Sequence, residues 1–210
     1  MNFTEFAKDV HANAVNHGWW ETARPVGETM ALIHSEWSEA LEEYRADRPM
    51  VWHKCKGGLN EIACDGHTSM DTYDRCMRPE YKSCKYYVKK PEGIAVELID
   101  GCIRILDFLV HEECMPGNEV VEKTIYENCT KRVYELPELV AVLHWATAIS
   151  ADIDYLKNRY PERMRPGMLI ACIGMVFNWI EAQALDPVEI IIDKHEYNKG
   201  RSYRHGGKKA

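Results

Sequence analysis

Two pairs of carboxylates share one spacing. Glu36 and Glu39 stand three apart in His34-Ser35-Glu36-Trp37-Ser38-Glu39-Ala40-Leu41, and Glu97 and Asp100 stand three apart in Gly93-Ile94-Ala95-Val96-Glu97-Leu98-Ile99-Asp100. Residues at that spacing share one helix face, so each pair points into one space. If the two faces meet, four negative charges repel and lose hydration together. A hard divalent cation with oxygen ligands resolves that conflict, Mg²⁺ first and Mn²⁺ as its substitute. The competing reading is two sets of solvated surface charges, the ordinary fate of glutamate.

A basic set lies near the other end. Lys194, Asn198 and Arg201 fall at i, i+4 and i+7, one helical face, and Arg204, His205, Gly206-Gly207 and Lys208 follow. Ammonium, amide and guanidinium donors suit phosphate oxygens. The alternative is a solvated basic terminus. Trp20, in Gly18-Trp19-Trp20, serves packing or an interface, or offers a platform for stacking a base. No G-x-x-x-x-G-K-[ST] segment occurs, which disfavours P-loop chemistry.

The elements that must position these groups read as helices. Apolar residues recur at three and four over 3–17 (Phe3, Phe6, Val10, Val15), about 28–46, 93–112, 119–132, 138–158 and 168–185. Asp186-Pro187 supplies an N-cap and a first-position proline for a last helix to Lys199, where Gly200 can end it. No alternating run is long enough to predict a sheet. The expected class is all-α, a single domain over 1–210.

Residues 49–91 break that pattern. The segment is poor in aliphatics and carries Cys55, Cys64, Cys76 and Cys84. A small insertion of this kind needs a staple, and a four-thiolate Zn²⁺ site would serve, with His53 or His67 replacing one thiolate. The spacing has no C-x₂-C pair, so free thiols in an irregular loop are the other reading. Lys82, Lys85, Lys89 and Lys90 beside Tyr81, Tyr86 and Tyr87 support a different function class, a zinc knuckle that binds nucleic acid or protein on a helical scaffold.

Net charge is −7, with 26 Lys+Arg against 33 Asp+Glu, which argues against a surface that coats nucleic acid. The N-terminal residues form no apolar signal core, and Met168 to Ile180 is too short to span a bilayer. A cytoplasmic protein with reduced cysteines is expected, and Cys102 and Cys114 read as small core hydrophobes.

The two halves also align. Ala31-Leu32-Ile33-His34 matches Ala141-Val142-Leu143-His144, and Gly93 to Asp100 matches Gly167 to Gly174. Residues 1–48 and 92–132 read as a first repeat with the metal site, and 137–208 as a degenerate second repeat with a phosphate-binding tail. Ala146, Ile149, Ala171 and Gly174 stand where the first copy has Glu36, Glu39, Glu97 and Asp100. His34, whose counterpart His144 belongs to the copy without carboxylates, reads as a core histidine.

An ExxE helix, an ExxD helix and the segment Lys194 to Lys208, in that order, resemble the MazG-like all-α nucleoside triphosphate pyrophosphohydrolases and their dUTPase relatives. The resemblance implies Mg²⁺-dependent hydrolysis between the α- and β-phosphates of a (deoxy)nucleoside triphosphate, giving a monophosphate and pyrophosphate. It implies that Glu36, Glu39, Glu97 and Asp100 hold the metal, with Glu39 the residue that orients or deprotonates the attacking water. Lys194, Asn198, Arg201, Arg204, His205 and Lys208 would hold phosphate oxygens. Some members build the bundle from two short chains; here one chain would supply both halves, as a monomer or as a homodimer. A phosphoribosyl-ATP pyrophosphohydrolase is the variant within the same superfamily. The linker between the two carboxylate helices exceeds the compact family pattern because of the insertion.

Overall fold

The computed structural model describes residues 1–56, 88–128, 139–159 and 166–204. In chain order the elements are α1 (Phe3–Asn16), α2 (Val26–Arg45), β1 (Trp52–Lys56), β2 (Val88–Glu92), α3 (Ile94–His111), α4 (Asn118–Glu122), α5 (Leu139–Arg159), α6 (Pro166–Ala182) and α7 (Pro187–Lys199). The all-α expectation holds for the bulk of the described chain.

The hydrophobic pattern explains the order of the layers. In α3 nearly every residue from Ile94 to Leu109 is buried, so this helix is covered on all sides. It packs against α1, α2, α6 and α7. Helix α2 buries only one stripe, Met30, Ile33, Trp37 and Ala40, and lays it on α3. Helix α1 buries Phe3, Ala7 and Val10 at helical spacing and leaves its other side to water. Asn2 caps it, its side chain accepting from the Glu5 amide at 3.0 Å. Helices α5 and α6 pair with each other, and they meet α2 and α3 respectively.

Two glycines set the approach of α2 and α3. A Cβ on Gly101 would stand 2.2 Å from Trp37 Nε1, so only glycine lets the indole lie across α3. Gly93, with φ of +114°, begins α3; a Cβ there would stand 2.7 Å from the carbonyl oxygens of Pro49 and Met50. The Ala95 amide donates to the Met50 carbonyl at 2.9 Å, which ties the start of α3 to the end of the α2 connection.

Two expectations need correction. Strands β1 and β2 pair antiparallel, with Trp52 opposite Glu92, where no sheet was expected. The ribbon carries little apolar alternation, and Pro91 lies within it, which a two-stranded ribbon made only of edges tolerates. The continuous helix expected over 119–132 is a short α4 that widens into a π-helical stretch, Lys123–Asn128, packed on α6. Helix α7 is capped as expected, Asp186 accepting from the amides of Val188 and Glu189 at 2.8 and 3.3 Å. Gly200 follows it with φ of −83°, so the end does not use glycine's left-handed freedom.

Candidate metal centre

The carboxylate faces of the two helices meet. One carboxylate oxygen from each of Glu36, Glu97 and Asp100 lies within 4.8 Å of the other two. Glu36 and Glu97 are buried, 8% and 4% exposed, while Asp100 is half-buried. Glu39, one turn along α2, is exposed and lines the cleft without joining this cluster. The expected four-carboxylate centre is therefore three convergent groups and one peripheral one.

Two cations answer these charges, Arg104 from α3 and Lys194 from α7. Arg104 Nε donates to Glu36 Oε1 at 2.7 Å, and its Nη2 lies 2.5 Å from the same oxygen. Lys194, 1% exposed, sets its Nζ 2.9 Å from Asp100 Oδ2 and 3.9 Å from Glu97 Oε1, and donates to the Pro91 carbonyl at 3.3 Å. Environment then separates the carboxyls. Burial pushes Glu97 up to about 9, with Lys194 opposing and Asp100 and Glu92 adding to the rise. Burial also works to raise Asp100, but Lys194 beside it holds this carboxyl below its ordinary value. Glu36 is raised by burial against the pull of Arg104. The ammonium of Lys194 is held above its ordinary value by Asp100 and Glu97 in spite of its burial. Three carboxyls so close keep one protonated, and a cation in that proton's place would find an all-oxygen donor set.

The cleft around the carboxylates has a volume of about 160 Å³ and is walled by α1, α2, α3, β2 and α7. The stripe Lys194, Asn198 and Arg201 does share it. Within that stripe the roles divide. Lys194 is committed to Asp100, Asn198 Nδ2 donates to Asp100 Oδ1 at 3.4 Å, and Arg201 faces the cleft. Asn198 Oδ1 is buried with no donor. Arg204 folds away onto Glu21 at 2.9 Å and donates to the Gly18 carbonyl. Trp20 lies flat on His111, ring centroids 3.6 Å apart, and donates to Asp107, so its packing role is the one observed. His34 bonds Ser150 on α5 at 2.6 Å, apart from the carboxylates. His205, Lys208, Cys64, Cys76, Cys84 and the side chain of Cys55 lie outside the described residues, as does His67. Cys102 is buried and Cys114 half-buried, both free thiols.

Sequence reasoning missed Arg24 and Arg104 in the cleft wall, and it set Lys90, which also lines the cleft, with the basic and aromatic residues of the insertion. Arg104 was legible, because it follows Asp100 by one turn on the same face of α3. Arg24 precedes α2 in an irregular segment, and Lys90 sits on the unexpected ribbon; neither carries a periodic signal. Among the described residues no single helix is long and apolar enough to cross a membrane. Comparison of the chain with protein-family models, with curated proteins and with solved structures finds no match.

Proposed function

We propose that this chain is a MazG-like nucleoside triphosphate pyrophosphohydrolase. The observation that carries the reading is the convergence of Glu36, Glu97 and Asp100, from two separate helices, in a cleft whose other walls bring guanidinium and ammonium groups. A site that gathers both signs of charge suits a metal-bound polyanion. Glu36, Glu97 and Asp100 would hold the divalent cation, with Mg²⁺ the expected ion. Bound there, Mg²⁺ supplies Lewis-acid polarisation of phosphoryl oxygens.

The chain's own residues do the rest. Arg104 orients Glu36 and Lys194 orients Asp100 by charge-assisted hydrogen bonds, so these two carboxylates are held in place before a cation arrives. Glu39, exposed at the cleft edge and outside the carboxylate cluster, orients the attacking water or takes its proton. Arg201 meets phosphate oxygens. Helices α5 and α6, placed against α2 and α3, form the degenerate second copy of the carboxylate pair.

The test is pyrophosphate release from a panel of ribo- and deoxynucleoside triphosphates, native chain against Glu97→Gln. Release that needs Mg²⁺ and vanishes in the variant is expected, and the panel names the base. A native chain that releases pyrophosphate from no nucleotide defeats the proposal.

A further inference from the structure

Arg24 is a deeply buried cation in the wall of this cleft, and the carboxylate that pairs with it is partly solvated. Its side chain is only 6% exposed, yet its nearest carboxylate oxygen, Glu28 Oε1, stands 3.4 Å away on a side chain 45% exposed. One guanidinium nitrogen, Nη2, donates to the Trp19 carbonyl at 3.0 Å, and the group lies 5.4 Å over the Trp20 ring. Burial lowers the affinity of Arg24 for its proton, the carboxylates of Glu28 and Asp107 oppose that, and the charges of Arg104 and Arg204 add to it. The other carboxylate facing it, Asp107, is already engaged by Trp20 Nε1 at 2.9 Å and by His11 Nδ1 at 2.7 Å. Of the arginines nearby, Arg104 is held by Glu36 and Arg204 by Glu21. Arg201 lines the same cleft, and among the described residues its guanidinium meets no carboxylate. A desolvated guanidinium whose counterion stays partly in water is costly unless a further anion completes it.

We propose that Arg24 and Arg201 form an anion subsite in the cleft, separate from the carboxylate cluster, that takes the oxygens of a pyrophosphate-class group. Arg24 belongs to the segment before α2 and Arg201 follows α7, and both line the one cleft. Planar forks of this kind bind phosphate oxygens two at a time, and a pair of them matches two linked phosphoryl groups. The proposal rests on the nucleotide reading only in giving the subsite its place in a substrate; the subsite itself needs no metal.

Inorganic pyrophosphate is the probe, titrated calorimetrically into the full chain with EDTA present. The native chain should bind it, and Arg24→Gln and Arg201→Gln should each weaken binding at least tenfold, with Arg24→Lys between. Titration of Mg²⁺ alone should give the same affinity in all four proteins. If Arg24→Gln fails to keep the native thermal midpoint, Arg201→Gln carries the test, since its side chain is only half-buried. No pyrophosphate binding by the native chain, or binding by both glutamine variants as tight as the native chain's, overturns the subsite. Nucleotide turnover is scored separately. A chain that hydrolyses no nucleotide yet binds pyrophosphate through Arg24 keeps the subsite and loses the enzyme reading. A chain that turns over nucleotides with Arg24→Gln unimpaired in pyrophosphate affinity does the reverse.

Discussion

Lys194 Nζ lies 2.9 Å from Asp100 Oδ2 but 3.9 Å from Glu97 Oε1, so one buried ammonium divides unequally between two carboxyls one turn apart. That inequality gives the site its character. Asp100 keeps its charge, Glu97 keeps a proton, and the cleft holds a carboxylate and a carboxylic acid on the same face of α3. A cation arriving at the cluster meets one ligand already charged and one that must first give up its proton.

Lys194→Met tests the structural half of this relationship. The substitution keeps the apolar stem and removes the charge that answers Asp100. Losing one partner of a buried ion pair costs about 3–5 kcal/mol. Urea unfolding in EDTA should show a loss of that order, with the slope unchanged. Millimolar Mg²⁺ should restore more stability to the variant than it adds to the native chain, because the metal supplies the missing positive charge. A variant as stable as the native chain in EDTA would refute the pairing.

The pH dependence follows from Glu97. Its carboxyl is raised from 4.5 to about 9, so between those values the metal-free folded chain holds a proton that the unfolded chain has released. The stability from this group is therefore complete below pH 4.5 and is lost as pH rises through about 9 in EDTA. Metal binding runs the other way, since the cation must displace the proton. Apparent Mg²⁺ affinity should climb with pH in that window, by up to about tenfold per unit for one displaced proton. Calorimetry in buffers of different ionisation enthalpy should detect the released proton. Flat affinity from pH 6 to 8 would contradict the assignment.

How far the sequence reached is clear from single residues. The carboxylates of α2 and α3 were legible because helical spacing is a local property, and the apolar residues around them fix which face turns inward. The same spacing overcounted: Glu36 and Glu39 share a face, yet a helix face is broad, and only Glu36 lies deep enough to join Glu97 and Asp100. Lys194 stood correctly on the cleft stripe, but its periodicity could not say whether an ammonium would face phosphate or Asp100. That choice depends on how deep α7 packs against α3. Strand β2 escaped because its partner β1 lies across the insertion, and pairing at that distance leaves no local trace. Arg24 escaped because an irregular segment has no period to read.

Gly101 offers a test of the packing that makes the centre possible. A methyl group there would press on Trp37 Nε1 at 2.2 Å, and the indole has no room to retreat within the buried α2–α3 contact. Gly101→Ala should cost about 1–3 kcal/mol by overpacking, outweighing the gain in helix propensity. Denaturant unfolding followed by tryptophan emission measures it. The same variant should bind Mg²⁺ more weakly, since α2 carries Glu36 away from α3 as it moves. Native stability and native metal affinity together would show that the close approach is not required.

Glu39 separates metal binding from chemistry. It lines the cleft on the same helix as Glu36, but it stands outside the cluster and is exposed. If it orients or deprotonates water as proposed, its loss should lower kcat by about 10²–10⁴ and leave Mg²⁺ affinity nearly intact. Glu97→Gln should abolish both. Glu39→Gln and Glu97→Gln are therefore compared twice, once by Mg²⁺ titration and once by pyrophosphate release. If Glu39→Gln loses metal affinity as Glu97→Gln does, Glu39 is a fourth ligand that closes on the cation, and the attacking water must find its base elsewhere. If it loses neither affinity nor rate, the exposed carboxylate is a solvated charge, and the centre is the three-carboxylate cluster alone.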